Sequence, residues 1–438
     1  MIAPIHLQQL FYYFCYSPLI CALLCLLLTY KKLAFLTTFF CFASIALVLA
    51  FFLPNFFSFH HSIVLQDTNY LGSLNAINTA VLLIITLIYC IILLFYRKNL
   101  IKTVPEKRHC YFYALLLVNF FNLIGIITTN DLLKLYLFIE IYSLGCLILI
   151  SFDNNKQMKQ LNFHNYCFNV ASSILLLFTF LLMYMIFNDS NIVNYWFNLQ
   201  FSHNIWLADL FFLFFIFVII IKFLPFWQYF YKLKTKSWLS KIFLIEGVFI
   251  KSLLAIFLSH KIINSVFGLN FENYWFSQGL IIFSSCFVCY CTFLSIKTQH
   301  LKLISLLLSL STIGFLLIIL GLNQYNISHN SFVFWLLQLF FTNFFIFLLS
   351  DLLQIKNSNT KIWQLNKLKN HTFLKMIFCI LITQLTFLPI TFGFLASWFL
   401  LTENINSPLF WLIVFSLAVY NLAQVIFANK LLHKIIFT

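Results

Sequence analysis

Charge is what this chain has least of. Only 8% of its 438 residues are Asp, Glu, Lys or Arg, against 63% that are hydrophobic, and the mean hydropathy is +0.97. A soluble domain carries about 25% charged residues, so this balance excludes one: too little polar surface is left to cover the outside. Nor is there a polar stretch long enough for an appended soluble domain. Apolar runs of about 20 residues, the length that crosses a bilayer, recur along almost the whole chain. The class is an all-α polytopic membrane protein whose surroundings are the lipid bilayer.

Two further scarcities concern origin and partners. Arginine is nearly missing: Arg97 and Arg108 stand among 26 basic residues, while Phe numbers 59 and Ile, Asn and Tyr are also plentiful. Residues with A/T-rich codons dominate, which points to an AT-rich organellar genome. Met1 to Phe14 lacks the Arg-rich amphipathic pattern of a transit peptide and the basic start of a signal peptide. A product made inside a mitochondrion, resident in its inner membrane, is expected. Acidic residues number only 11, but the basic excess does not call for nucleic acid. In a membrane protein positive charge collects in loops on one face and fixes topology.

Thirteen spans can be read, near residues 8–29, 33–54, 74–96, 110–129, 131–152, 163–187, 207–231, 240–260, 277–296, 303–322, 331–354, 372–401 and 408–429. Loop charge tests that number. Of the 26 basic residues, 22 follow odd-numbered spans, and the loops after even-numbered spans hold only Lys261. A wrong count would break this alternation. The N-terminus is expected to face the intermembrane space and the C-terminus the matrix.

The twelve cysteines are scattered through apolar stretches. One cluster, Cys286, Cys289 and Cys291, lies within a span with no second Cys/His pair at ligand spacing nearby. Small packing residues are the expected role, and no metal is expected.

Two prolines interrupt spans. Pro225 lies in "IKFLPFWQYFY" of span seven and Pro389 in "LTFLPITFGFLASW" of span twelve, each preceded by Phe-Leu. A mid-span proline frees a backbone carbonyl, which is tolerated only against protein or water. The two breaks lie an odd number of spans apart, so their helices cross the membrane in opposite directions. Paired broken helices of opposite orientation mark inverted-repeat transporters. The expected layout is a three-helix segment at 1–109, a first five-helix repeat at 110–262 (spans four to eight) and a second at 263–438 (spans nine to thirteen), with helices seven and twelve broken.

Lys134, Lys222 and Lys251 are the basic residues inside spans, and Glu140 is deep in span five. A charge at the centre of a membrane helix costs on the order of 2.5–3.5 kcal/mol by insertion scales, and so is rarely idle. Glu140 lies nine residues beyond Asp131, about 13–14 Å along a helix, near mid-membrane. Lys222 precedes Pro225 by three residues, beside the expected break. A nearby carboxylate favours the ammonium while desolvation opposes it, and a lysine held in that balance can take and release a proton. The bland alternative is a buried ion pair that only fixes packing. Lys251 has no acid three or four residues away and lies too deep to reach an interface easily. Lys134, nearer a span end, snorkels.

These residues sit in runs that resemble a known family. "NDLLKLYLFIEIYSLGCLILI" is similar to the span-five signature of the subunit 2 family among the antiporter-like subunits of respiratory complex I, where a glutamate follows Asn-Asp-Leu-Leu. "KQLNFHNYCFNVASSILLLF" resembles that family's Lys-Tyr-Phe…Ala-Ser-Ser segment, and "IKFLPFWQYF" its Phe-Lys-x-x-x-Pro-Phe-His-x-Trp motif. Lys251 falls where the family has its Ala-Pro-Lys lysine. "LSIKTQHLKLISLLLSLSTIGFLL" and "FLPITFGFLASWFLL" resemble the motifs of spans ten and twelve. The likeness runs over about residues 110–430 in order and at family spacing. Sister subunits would show a His-x-Trp-Leu-Pro-x-Ala-His stretch where this chain has "FWQYFYKLKTK".

The resemblance implies a channel-like subunit of NADH:ubiquinone oxidoreductase without cofactors, binding neither NADH nor flavin itself and packed among other membrane-arm subunits. Glu140, Lys222 and Lys251 would form its proton relay. The chain departs from the pattern at Thr312, where the family has a histidine, and at Ser397, where it has a lysine. The histidine after Pro225-Phe226 is also absent, and thirteen spans are read rather than the fourteen of the bacterial type. Two relay losses in one half lead to the expectation of a closed second half-channel with a dry apolar gap around Ser397. A free-standing cation/proton antiporter and a non-transporting membrane scaffold remain open.

Overall fold

The computed structural model describes residues 4–27, 34–57, 76–103, 108–152, 156–187, 191–192, 214–215, 217–219, 222, 249–267, 274–298, 301–322, 329–348, 391–405, 407 and 409–436. Within them the chain is helical, apart from short turns and one isolated bridge between Asp131 and Asn191. Helices are what an apolar chain in lipid must form, since each backbone N–H and C=O has to be satisfied inside its own segment.

The helices are α1 (Pro4–Leu27), α2 (Ala34–Phe57), α3 (Ala76–Thr103), α4 (His109–Thr128), α5 (Leu132–Ser151), α6 (Lys156–Phe187), α7 (Lys251–Phe267), α8 (Tyr274–Lys297), α9 (Leu301–Leu322), α10 (His329–Gln338), α11 (Phe392–Glu403) and α12 (Phe410–Ile436). A π-helical segment, Leu339–Phe344, continues α10. Seven of these are long and apolar enough to cross a membrane, and the protein is a multi-pass membrane protein. Residues of spans seven, eight, eleven and twelve lie partly outside the described set. Pro225 and Pro389, with the expected breaks, lie outside it as well. One part of span twelve can be compared: Thr391, inside the expected 372–401, is extended (φ −87°, ψ 149°) and its hydroxyl caps α11 by accepting from Phe394 N at 3.2 Å.

The chain divides into two compact units, Met1–Val266 and Phe267–Thr438. In the first, α4 packs against α1, α2, α3 and α5, and α5 against α6. Helix α4 is 83% buried over its apolar window and α6 only 28%, so α4 is the core and α6 the rim. In the second, α8 packs on α9 and α12, α9 on α10, and α10 on α11. There α9 is the core, 94% buried.

Helix ends run past several expected limits. Helix α7 continues to Phe267 rather than ending near 260, because Ile262, Ile263 and Val266 keep the apolar run going and no breaker intervenes before Gly268. Lys261, expected in a loop, is therefore a helical residue. Its ammonium reaches the carbonyl of Thr129 at the end of α4. Lys430 of α12 likewise reaches the carbonyl of Ile296 in α8, at 3.3 Å. Each lysine thus ties the end of one helix to the last two turns of another.

Candidate functional site

Helix α5 is held to α4 by two close approaches. The ring of Phe138 covers Gly125 so tightly that a Cβ there would lie 2.7 Å from it, and the amide of Asn119 fills the place a Cβ on Gly145 would take. Small residues at such crossings let membrane helices approach. Phe138, Tyr142 and Gly145 recur at helical spacing and define the face turned toward α4. Glu140 is two residues from Phe138, about 200° around the helix, and so turns away from α4 toward α6.

There it meets its partners. Lys222 donates from its ammonium to Glu140 Oε1 and, at 2.8 Å, to Ser173 Oγ of α6. The Ser173 hydroxyl lies 2.7 Å from both Glu140 Oε2 and the Asn169 carbonyl, and its single proton serves one of them at a time. Asn169 Nδ2 donates to Ser143 Oγ at 3.2 Å, and Ser143 donates to the Glu140 carbonyl at 2.8 Å. The side chain of Lys222 is 1% exposed and that of Glu140 17%. A desolvated ammonium thus has a carboxylate and a hydroxyl as ligands, the satisfaction a buried charge demands.

Lys251 opens α7 and is half-buried. It is close enough for its charge to act on Lys222, but it forms no ion pair with Glu140 among the described residues. The structure therefore joins two of the three expected relay residues directly and brings the third into electrostatic reach. Ser173 is the member that residue-by-residue reading missed. Its run resembles a family segment, but a serine in an apolar helix usually bonds its own backbone, as Ser172 does to Asn169 O.

The second unit holds a different polar centre. The Tyr420 hydroxyl of α12 is faced by Ser311 of α9, Gln338 and Asn343 of α10 and its π-helical continuation, and Gln424 one turn along α12. All five are fully buried, as is Thr312, which accepts from Asn343 Nδ2 at 3.5 Å. Ser311 and Thr312 donate to Leu308 O and Ser309 O, both at 2.7 Å, so they offer the cluster only lone pairs. Below it the Tyr420 ring packs on Phe315 and Trp335, themselves stacked at 4.4 Å. On α11, Gly393 leaves room for Gln338, whose amide would lie 3.0 Å from a Cβ there.

These residues were also missed. The signal was present, since Gln338, Asn343 and Gln424 interrupt apolar spans, but attention to charge passes over neutral amides. Thr312 therefore has polar company. Ser397 is buried on α11 and donates to Phe394 O of its own helix at 2.8 Å.

Among the described residues no group of three or more His, Cys, Asp or Glu is placed to hold a metal ion. Cys286 is exposed, Cys289 half-buried and Cys291 buried.

The family described as NADH:quinone oxidoreductase/Mrp antiporter, TM, matches residues 129–421. No curated protein sequence matches the chain. A chain in the structure of the membrane-bound sulfane sulfur reductase (MBS), an archaeal respiratory membrane complex, is similar with a TM-score of 0.78 at 15% identity, over 96% of this chain and 87% of that one. A chain of the Mrp complex from Dietzia sp. DQ12-45-1b gives 0.76 at 15% identity, over 96% and 79%. One of respiratory complex I from Thermus thermophilus gives 0.67 at 13% identity, over 95% and 89%. At such identities the likeness is one of fold.

Proposed function

The chain belongs to the NADH:quinone oxidoreductase/Mrp antiporter transmembrane family, and from that premise we propose that it is a proton-translocating subunit in the membrane arm of respiratory complex I. The observation that carries this reading is Lys222, desolvated in an apolar bundle and held by Glu140 and Ser173. In this reading Lys222 alternates between ammonium and amine. Glu140 stabilises the ammonium, Ser173 steadies both ends of the pair, and Lys251 exchanges protons with Lys222 through water. Repulsion between two ammonium groups favours one proton on the pair over two, so a proton arriving on one promotes release from the other. Quinone reduction, in other subunits, would drive the cycle through conformation and electrostatics.

The proposed setting is the mitochondrial inner membrane, with the N-terminus toward the intermembrane space and other membrane-arm subunits as partners. The proposed layout is 1–109, 110–262 and 263–438, the last two as inverted repeats. NADH and flavin would bind elsewhere in the assembly.

A second reading, a cation/proton antiporter independent of electron transfer, is supported by the likeness to the Mrp complex chain, whose TM-score exceeds that of the complex I chain. Mild solubilisation followed by affinity capture separates the two. The proposed subunit co-purifies with NADH-oxidising activity, and NADH oxidation acidifies reconstituted vesicles. Capture free of redox subunits, with cation-driven proton exchange, would favour the antiporter.

A further inference from the structure

The proton path proposed above uses Lys222 and Lys251 but leaves one half-buried ammonium of the first unit, that of Lys261, without a task. Lys261 lies on α7 ten residues beyond Lys251, about 15 Å along the helix. It is the lone basic residue of the loops and helix ends that follow even-numbered spans. Its Nζ donates to the carbonyls of Ile127, at 3.2 Å, and of Thr129, and stands 5.8 Å from the centre of the Phe257 ring. These carbonyls close α4, where a helix leaves acceptors unsatisfied and its dipole favours a cation. Three neighbouring acceptors are taken: Gly125 O by Thr129 N at 3.0 Å, Ile124 O by the Thr128 hydroxyl at 2.8 Å and Asn130 O by Ile192 N at 2.9 Å.

We propose that Lys261 is a third protonatable station of the first unit, the one from which protons leave toward the face where α4 and α7 end. The inference rests on the proton-translocation reading. Among the described residues Lys261 has neutral dipoles and a ring as partners, whereas Lys222 is held by a carboxylate, so no described carboxylate fixes Lys261 in its charged form. Among the described residues the other titratable groups on the adjoining segments include Asp131 just before α5, Lys134 on α5, and His260 and Lys251 on α7. Asp131 is occupied, accepting from the N–H groups of Leu133 at 2.9 Å and Lys134 at 3.3 Å. In the transfer, an N–H bond of the Lys251 ammonium breaks and, by way of water, one forms on the Lys261 amine. Lys261 then gives that proton to the aqueous phase, so one charge moves and no electrons do. Because its carbonyl partners adjoin the Asn130–Asp131 corner that starts α5, loss of the Lys261 proton also loosens the corner from which the Glu140 helix begins.

The alternative is a clamp that only ties α7 to α4, and arginine distinguishes them. Lys261→Arg keeps the charge and the donors but holds its proton throughout. In the intact complex, reconstituted into vesicles, the relay requires Lys261→Arg to assemble and oxidise NADH while moving fewer protons per electron. Lys261→Gln is expected to do the same. A parental ratio in Lys261→Arg beside a lowered one in Lys222→Met would overturn the relay and leave the clamp. A parental ratio in Lys222→Met itself would instead overturn the proton-translocation reading, and this inference with it. Should neither Lys261 variant assemble, brief acetylation of the parent complex decides, since only the amine reacts. Faster acetylation of Lys261 during turnover than at rest supports the relay, and equal rates would overturn it.

Discussion

The first unit builds its polar centre from charges, Lys222 against Glu140 with Ser173 beside both. The second builds its own from neutral groups, with Gln338, Asn343, Gln424, Ser311 and Thr312 around Tyr420. Both are buried among apolar helices, yet they meet different physical demands. A desolvated charge must be paired, and removing one partner of a buried pair costs about 3–5 kcal/mol. A neutral amide needs only hydrogen bonds, each contributing about 1 kcal/mol net. The chemical capacities differ in the same sense. A lysine beside a carboxylate can hold or give up a whole proton, whereas an amide or hydroxyl can orient water and pass a hydrogen bond but stores no charge near neutral pH. The contrast teaches that polarity in the membrane interior is not by itself a proton site, and among the described residues the buried ion pair belongs to the first unit.

Four substitutions would break or sharpen that contrast. Glu140→Gln has the largest expected effect of these. It removes the charge that stabilises the Lys222 ammonium, lowers stability by no more than about 3–5 kcal/mol, and slows proton translocation more than it lowers assembly. Translocation at the parental rate would make the pair a packing device. Ser173→Ala comes next. It takes one hydrogen bond from the ammonium and one from the carboxylate, costing about 1.5–3 kcal/mol in thermal unfolding of the complex, with a smaller loss of translocation than Glu140→Gln.

Tyr420→Phe probes the other unit. It keeps the stacking on Phe315 and Trp335, removes the hydroxyl at the centre of the neutral cluster, and should cost about 1 kcal/mol with near-parental translocation. A loss matching that of Glu140→Gln would put the neutral cluster on the path and erase the contrast. Ser397→Ala is expected to change least. Among the described residues Ser397 bonds its own helix, so initial proton uptake by vesicles should equal that of the parent. A clear drop would restore Ser397 as a working position.

Much of the fold was legible because lipid enforces it. Apolar runs and the alternation of loop lysines located the spans, and the helices begin and end within a turn or two of most expected limits. Where they differ, as at the end of α7, the apolar run resumes beyond Lys261 with Ile262, Ile263 and Val266 and carries the helix on, and Lys261 was misplaced with it. The pairing of Glu140 with Lys222 was legible for an energetic reason: two opposite charges in apolar spans have few other ways to lower their cost. Ser173 was not legible as a ligand, since nothing in the chain distinguishes it from Ser172, which turns back on its own helix. Which neutral residues converge on Tyr420 depends on the rotation of three helices, α9, α10 and α12, and no charge marks that rotation in the sequence. The proline breaks at Pro225 and Pro389 fall outside the described residues, and Thr391 is an extended position within the expected span twelve.

The central claim is that Lys222 is a titrating site rather than a packing charge, and Lys222→Met tests it most directly. Methionine keeps the length and apolar stem of the lysine but cannot bind a proton, and with no ammonium opposite it Glu140 can take up a proton and become neutral. Protons translocated per electron should be measured in vesicles carrying the intact variant complex, with assembly followed on native gels. The account predicts near-parental assembly with a large loss in protons per electron. Normal assembly with an unchanged proton ratio would contradict it.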